Sequence, residues 1–74
     1  MPATIKPVGL LREYLGGASE AGVPAGLTVN EALERLGIPS PLVALVVVND
    51  EPQAKDYRLQ EGDSVLLLAV IGGG

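Results

Sequence analysis

Residues 28–37 constrain the fold of this chain more than any other stretch. Thr28 is a good N-cap and Glu31 stands three residues later, the spacing of a capping box. Val29, Ala32, Leu33 and Leu36 fall at i, i+3, i+4 and i+7, so they line one apolar face of a helix. Gly37 supplies a left-handed C-terminal position, and Pro39 and Pro41 prevent continuation. A helix of roughly two to three turns is not stable alone in water, so it must be held by packing against a sheet.

The flanking segments supply that sheet. Residues 4–10 alternate loosely and predict a first strand, in which Pro7 has no N–H and must face an unpaired side or mark a bulge. Residues 11–15 predict a brief helical turn stopped by Gly16 and Gly17. Residues 16–26 hold four glycines and Pro24 and read as a turn, a short second strand and a loop. Residues 42–48 form a continuous, mainly β-branched apolar run, the mark of a central strand. Asn49, Asp50, Glu51 and Pro52 form a turn cluster, a short strand covers residues 53–55, and residues 56–59 form a single turn. Glu61, Gly62 and Asp63 make a tight turn into a last strand over residues 64–71. The order β-β-α-β-β-β implies an α+β fold, a mixed sheet packed on one helix.

Composition narrows the chemistry. The 74 residues make one small domain, and with Phe and Trp absent its core must be aliphatic. There is no Cys and no His. That excludes disulfides, thiolate metal sites, iron–sulfur clusters, thiol catalysis and a histidine general base. The absence of disulfides and of a signal-like N-terminus points to the cytoplasm. No apolar run approaches the length needed to span a bilayer. The net charge of −4 disfavours nucleic acid and anionic membrane as partners, while it suits a basic groove on a partner protein.

The apolar run of residues 65–71 passes directly into Gly72, Gly73 and Gly74. Glycine packs no side chain and loses the most backbone freedom on ordering, so the tail is expected to project as a flexible stalk. A glycine carboxylate without a shielding Cβ can thread a narrow channel and suits a group that another enzyme activates. The plainer alternative is an inert mobile terminus.

Four stretches in order resemble the MoaD/ThiS group of ubiquitin-like sulfur carriers. They are Leu10-Leu11-Arg12-Glu13-Tyr14-Leu15-Gly16, Leu27-Thr28-Val29-Asn30-Glu31-Ala32-Leu33, Val47-Val48-Asn49-Asp50 and Leu59-Gln60-Glu61-Gly62-Asp63-Ser64-Val65. The first looks like the Leu-Arg-Glu segment of the molybdopterin synthase small subunit. The resemblance implies a ubiquitin-like β-grasp domain over residues 1–71 and a flexible Gly-Gly tail over residues 72–74.

It also implies a function. An E1-like enzyme using ATP and Mg²⁺ would adenylate Gly74, and a sulfurtransferase would convert it to a thiocarboxylate, with Gly72 and Gly73 as the reactive tail. The chain itself would be a carrier without bound cofactor and not an enzyme, or a non-catalytic subunit of molybdopterin synthase. The sulfur acceptor would be the large subunit of that synthase, in molybdenum cofactor biosynthesis. The proline-free last strand, with its Val70-Ile71-Gly72-Gly73 ending, keeps the thiazole synthase of thiamine biosynthesis open, as well as a ubiquitin-like protein modifier joined to lysines.

Docking is expected through the exposed sheet face. The candidate docking residues are Leu66, Leu68 and Val70, which alternate on one side of the last strand, whereas Val65, Leu67 and Ala69 occupy the other. Both sets are apolar, so the sequence leaves open which is core; a strand apolar on both sides suggests that a partner covers one. Glu31 with Glu34, and Asp50 with Glu51, read as cap, helix-surface and turn residues rather than acid–base pairs. Lys6 and Lys55 offer amines for modification, and nothing in the sequence singles out either.

Overall fold

A computed structural model describes residues 1–69. Strands β1 (Ala3–Pro7), β2 (Ala21–Val23), β3 (Val43–Val48), β4 (Glu51–Gln53) and β5 (Ser64–Ala69) form one sheet in the order β2-β1-β5-β3-β4. Among the described residues the single α-helix, α1 (Val29–Leu36), lies between β2 and β3 in sequence. β1 and β5 are parallel neighbours at the centre and every other pairing is antiparallel. This is the mixed-sheet α+β arrangement expected from the sequence. Val70, Ile71 and the Gly72–Gly74 tail lie outside the described residues.

The helix begins as its sequence dictates. Thr28 Oγ1 accepts the Glu31 N–H at 3.1 Å, and Glu31 Oε1 accepts the Thr28 N–H at 2.8 Å. The Thr28 N–H bond is the main reason the Glu31 carboxyl sits below its ordinary pKa. At the other end Gly37 adopts φ 74°, where a side chain would be strained. Val29, Ala32 and Leu33 are buried and Leu36 is half-buried against them. They meet Ala3, Ile5, Val43, Val46, Val48, Val65 and Leu67 on the inner sheet face, with Leu11, Val23, Ile38 and Leu59 closing the edges.

Four local expectations shift. β1 ends at Pro7 rather than residue 10, because Gly9 takes φ 65° and opens a 3₁₀ segment, Gly9–Leu15. The Thr4 N–H donates to Asp63 O, just before β5, and the Val8 N–H to Leu67 O within it, so the Pro7 nitrogen points to the opposite side, beyond the last β2 pair of Ile5 with Ala21. The missing donor therefore costs no ladder bond. The β3–β4 turn is confined to Asn49 and Asp50, at φ 49° and 71°. Two positive-φ residues make a tight hairpin connection, so Glu51 and Pro52 already belong to β4, an edge strand that tolerates proline. The turn expected at residues 56–59 comes earlier, closed by Tyr57 N–H to Ala54 O, and Arg58 then bridges to Thr28. β3 starts at Val43, because Ser40–Leu42 forms a 3₁₀ turn. Among the described residues no helix is long and apolar enough to cross a membrane.

Candidate functional site

Pairing register arranges the outward sheet face in rows. Thr4 lies beside Ser64. In the next row Lys6, Leu66, Val47 and Pro52 stand side by side across β1, β5, β3 and β4. The third row holds Leu68 beside Leu45. Val8, one step past the Pro7–Leu67 pair and bonded through its N–H to Leu67 O, completes it on the β1 side. The face thus changes from polar to aliphatic along β5, towards the end where the sequence continues to Gly72–Gly74.

This face is largely apolar although, among the described residues, no element packs over it. Leu45 is 40% exposed, Leu66 38% and Val8 40%. Leu10, in the 3₁₀ segment that follows Val8, is 75% exposed. Leaving such a surface in water forgoes about 25 cal/mol per Å² of burial, and a contiguous apolar patch on a small domain marks a place for another molecule.

The structure decides the side of β5 that the sequence left open. Val65 and Leu67 are fully buried and Ala69 packs against the core, so Leu66 and Leu68 point outward. The third residue of that set, Val70, is outside the described residues, as are Gly72, Gly73 and Gly74. Sequence reasoning missed Leu45 and Val47 as members of the face. The register of β3 shifts between Val43 and Leu45, leaving Ala44 as the extra residue. Val43 and Val46 are buried while Ala44 and Leu45 are both exposed. A bulge re-phases the strand in this way, and nothing in a continuous aliphatic run announces it.

At the polar end a buried carboxylate ties three segments together. Asp63 Oδ1 accepts Asn49 Nδ2 at 2.8 Å, and Asp63 Oδ2 accepts the Gln60 N–H at 2.8 Å and the Tyr57 hydroxyl at 3.1 Å. Asn49 Oδ1 in turn accepts the Ser64 N–H at 2.9 Å. Burial pushes the Asp63 carboxyl up, but these bonds together outweigh it and hold the group below its ordinary value. Burial, and then donation to Asp63, push the Tyr57 hydroxyl up. The Asp63 and Asn49 side-chain oxygens are spent on pinning the β3–β4 turn and residues 57–60 to the start of β5, so the role of the cluster is structural.

The other carboxylates form no site. Glu31 is spent on the cap, and Glu34 lies exposed on the helix surface. Asp50 is in the hairpin turn and Glu51 in edge strand β4. Among the described residues no group of three or more His, Cys, Asp or Glu side chains could hold a metal ion.

The sequence model of the ThiS family matches residues 5–74. The chain belongs to the ThiS family. Solved structures agree on the β-grasp fold. The crystal structure of SAMP1 from Haloferax volcanii superposes with a TM-score of 0.72 at 22% identity, covering 100% of both chains. A chain from the complex of subunits 1 and 2 of the molybdopterin-converting factor of Helicobacter pylori gives a TM-score of 0.63 at 20% identity, again over 100% of both. A chain of the Amycolatopsis orientalis BexX/CysO complex is 28% identical, with a TM-score of 0.67 over 97% of this chain and 99% of that one. No curated protein sequence matches the chain. This ThiS-family protein therefore has the ubiquitin-like fold of the MoaD/ThiS carriers, as its four motif stretches suggested.

Proposed function

We propose that this protein is a sulfur carrier whose Gly74 carboxylate is adenylated and then converted to a thiocarboxylate. The observation that carries the reading is the extent of the family match, which runs from residue 5 to residue 74 and so includes all three glycines. An outward face that grows more apolar towards the end of β5 supports it. A partner gripping Val8, Leu45, Leu66 and Leu68 is placed to receive the residues that follow.

A carboxylate resists nucleophiles, because its charge repels them and oxide is a poor leaving group. In the proposed first step a Gly74 oxygen attacks the α-phosphorus of ATP, giving the acyl adenylate and pyrophosphate. The adenylating enzyme supplies the ATP and Mg²⁺ sites. A persulfide on a sulfurtransferase then attacks the carbonyl carbon and expels AMP, leaving an acyl disulfide. A second thiol of the sulfurtransferase attacks the enzyme-side sulfur of that acyl disulfide; a disulfide forms on the sulfurtransferase, the acyl S–S bond breaks, and the thiocarboxylate leaves as a soft nucleophile ionised at neutral pH. The chain contributes no acid or base to these steps, which accords with its lack of Cys and His. Its part is that of substrate and carrier.

The acceptor we favour is the large subunit of molybdopterin synthase, on the Leu10-Leu11-Arg12-Glu13 segment. The match to the ThiS family favours the second reading, delivery to thiazole synthase. Two of the similar structures are of complexes with a second protein, which supports a protein partner in either case.

Intact mass spectrometry tests the carrier chemistry. After incubation with ATP, Mg²⁺, an adenylating enzyme and a sulfide source, the expected product has one oxygen replaced by sulfur, and the gain disappears when Gly74 is deleted. An unchanged mass with every adenylating enzyme of the host organism overturns the reading. Offering the thiocarboxylate form to each synthase with its own precursor then separates the two acceptors.

A further inference from the structure

The outward face carries little of the protein's charge. The chain holds nine Asp and Glu residues against five Lys and Arg. Yet the outward strand positions are Gly22, Thr4, Lys6, Ser64, Leu66, Leu68, Leu45, Val47 and Pro52, with Ala44 at the bulge. Lys6 is the one charged side chain among them. Glu31 and Glu34 lie on α1, across the core. Asp63 is enclosed in its hydrogen bonds, and Glu51 is paired with the inward-facing Val48. Glu13 stands in the 3₁₀ segment after β1, next to Arg12, and the remaining acids stand in turns and connecting segments. Nothing on this face itself calls for a basic groove on the partner.

Lys6 also differs from the chain's other lysine. Lys55 Nζ is tied to Ser40 O at 2.7 Å. Lys6 is exposed, and among the described residues it has no ion-pair or hydrogen-bond partner. In its row Lys6 adjoins Leu66 and, beyond it, Val47, so a partner seated on those two side chains lies against the lysine as well.

We propose that Lys6 selects the adenylating partner by pairing with a carboxylate on that enzyme's docking surface. This rests on the activation of Gly74 proposed above, and it commits to the adenylating enzyme because carrier and modifier chemistry both require that step. An exposed lysine pair contributes little in water. Under a docked aliphatic surface the balance changes: an ammonium left unpaired there is strongly disfavoured, and one met by a carboxylate is not. A surface of the right shape without the carboxylate is thus rejected. The chemistry of the partner patch follows: aliphatic, with one acidic residue opposite Lys6.

Chain-dependent ATP–pyrophosphate exchange by the adenylating enzyme provides the test, on the full chain and its variants Lys6→Glu, Lys6→Arg and Glu34→Gln. Lys6→Glu is expected to raise the half-saturating chain concentration at least tenfold, or about 1.4 kcal/mol, with an unchanged maximal rate and melting temperature. Lys6→Arg is expected to restore saturation to near the wild-type value, and added salt to weaken wild-type binding more than that of Lys6→Glu. Glu34→Gln, across the core, should behave as wild type. Saturation of Lys6→Glu at the wild-type concentration overturns the proposal while leaving Gly74 activation intact, as does an equal loss in Lys6→Arg. No exchange with the wild-type chain overturns the activation reading, and this proposal with it.

Discussion

Asn49 Nδ2 donates to Asp63 Oδ1 at 2.8 Å, joining the left-handed turn between β3 and β4 to the residue just before β5. The Asn49 N–H reaches Ser64 O at 2.9 Å, and Ser64 N–H returns to Asn49 Oδ1, also at 2.9 Å. One side chain thus serves both a turn that needs positive φ and a carboxylate that needs donors. Replacing Asp63 with Ala leaves the Gln60 N–H, the Tyr57 hydroxyl and Asn49 Nδ2 without their acceptor. A loss of about 1–3 kcal/mol of stability is expected, read from the urea midpoint at neutral pH.

The same carboxylate gives the fold an acid limb. Its hydrogen bonds hold the folded pKa of Asp63 below the unfolded value. A depressed acid contributes stability above its unfolded pKa, and that contribution is lost as pH falls through the folded pKa. Stability should therefore drop below the ordinary aspartate range, about pH 4, and Asp63→Asn should flatten that drop while lowering stability at neutral pH. Thermal melts of both proteins from pH 7 down to pH 2.5, a range chosen to bracket that of carboxylates, check this. An acid limb unchanged in Asp63→Asn would count against it.

Leu66 and Leu67 are adjacent in sequence and opposite in effect. Leu67 is fully buried and Leu66 is 38% exposed. Leu67→Ala should cost about 2–5 kcal/mol, measured by chemical denaturation. Leu66→Ser should change stability by no more than about 0.5 kcal/mol yet weaken saturation of the adenylating enzyme. A Leu66→Ser protein that saturates like wild type would remove the outward face from the docking surface.

Thr28 carries the start of the helix. Thr28→Ala removes the oxygen that accepts the Glu31 N–H, and about 1 kcal/mol of stability should go with it. Thr28→Ser keeps the hydroxyl and should recover most of that loss. Equal melting temperatures for Ala and Ser variants would show that the cap does not hold the helix.

Deleting Gly73 and Gly74 should abolish thiocarboxylate formation, whereas the melting temperature should stay within a degree or two of wild type, since chain termini contribute little to the packed fold. Retained mass gain in the truncated chain would show that the acyl group lies elsewhere.

Local chemistry was legible in the sequence wherever a residue type has one physical use. Thr28 with Glu31 announced the capping box, the spacing from Val29 to Leu36 gave the buried helix face, and Gly37 marked its end. That a sheet must cover the helix followed from a helix too short to stand without one. What the sequence alone could not supply was phase. Residues 64–69 and 43–48 are apolar at nearly every position, and alternation cannot be read from a run that does not alternate. Placing β5 between β1 and β3, with Val65 and Leu67 over α1, fixed which leucines face out. The bulge at Ala44 then turned Leu45 to the same side. Lys6 gained its significance in the same way, because only the pairing of β1 with β5 sets it beside Leu66. The sequence by itself determined the elements, since capping and apolar spacing act within a few residues. Only the tertiary structure decided the faces, since which side of a wholly aliphatic strand meets water depends on what packs against it.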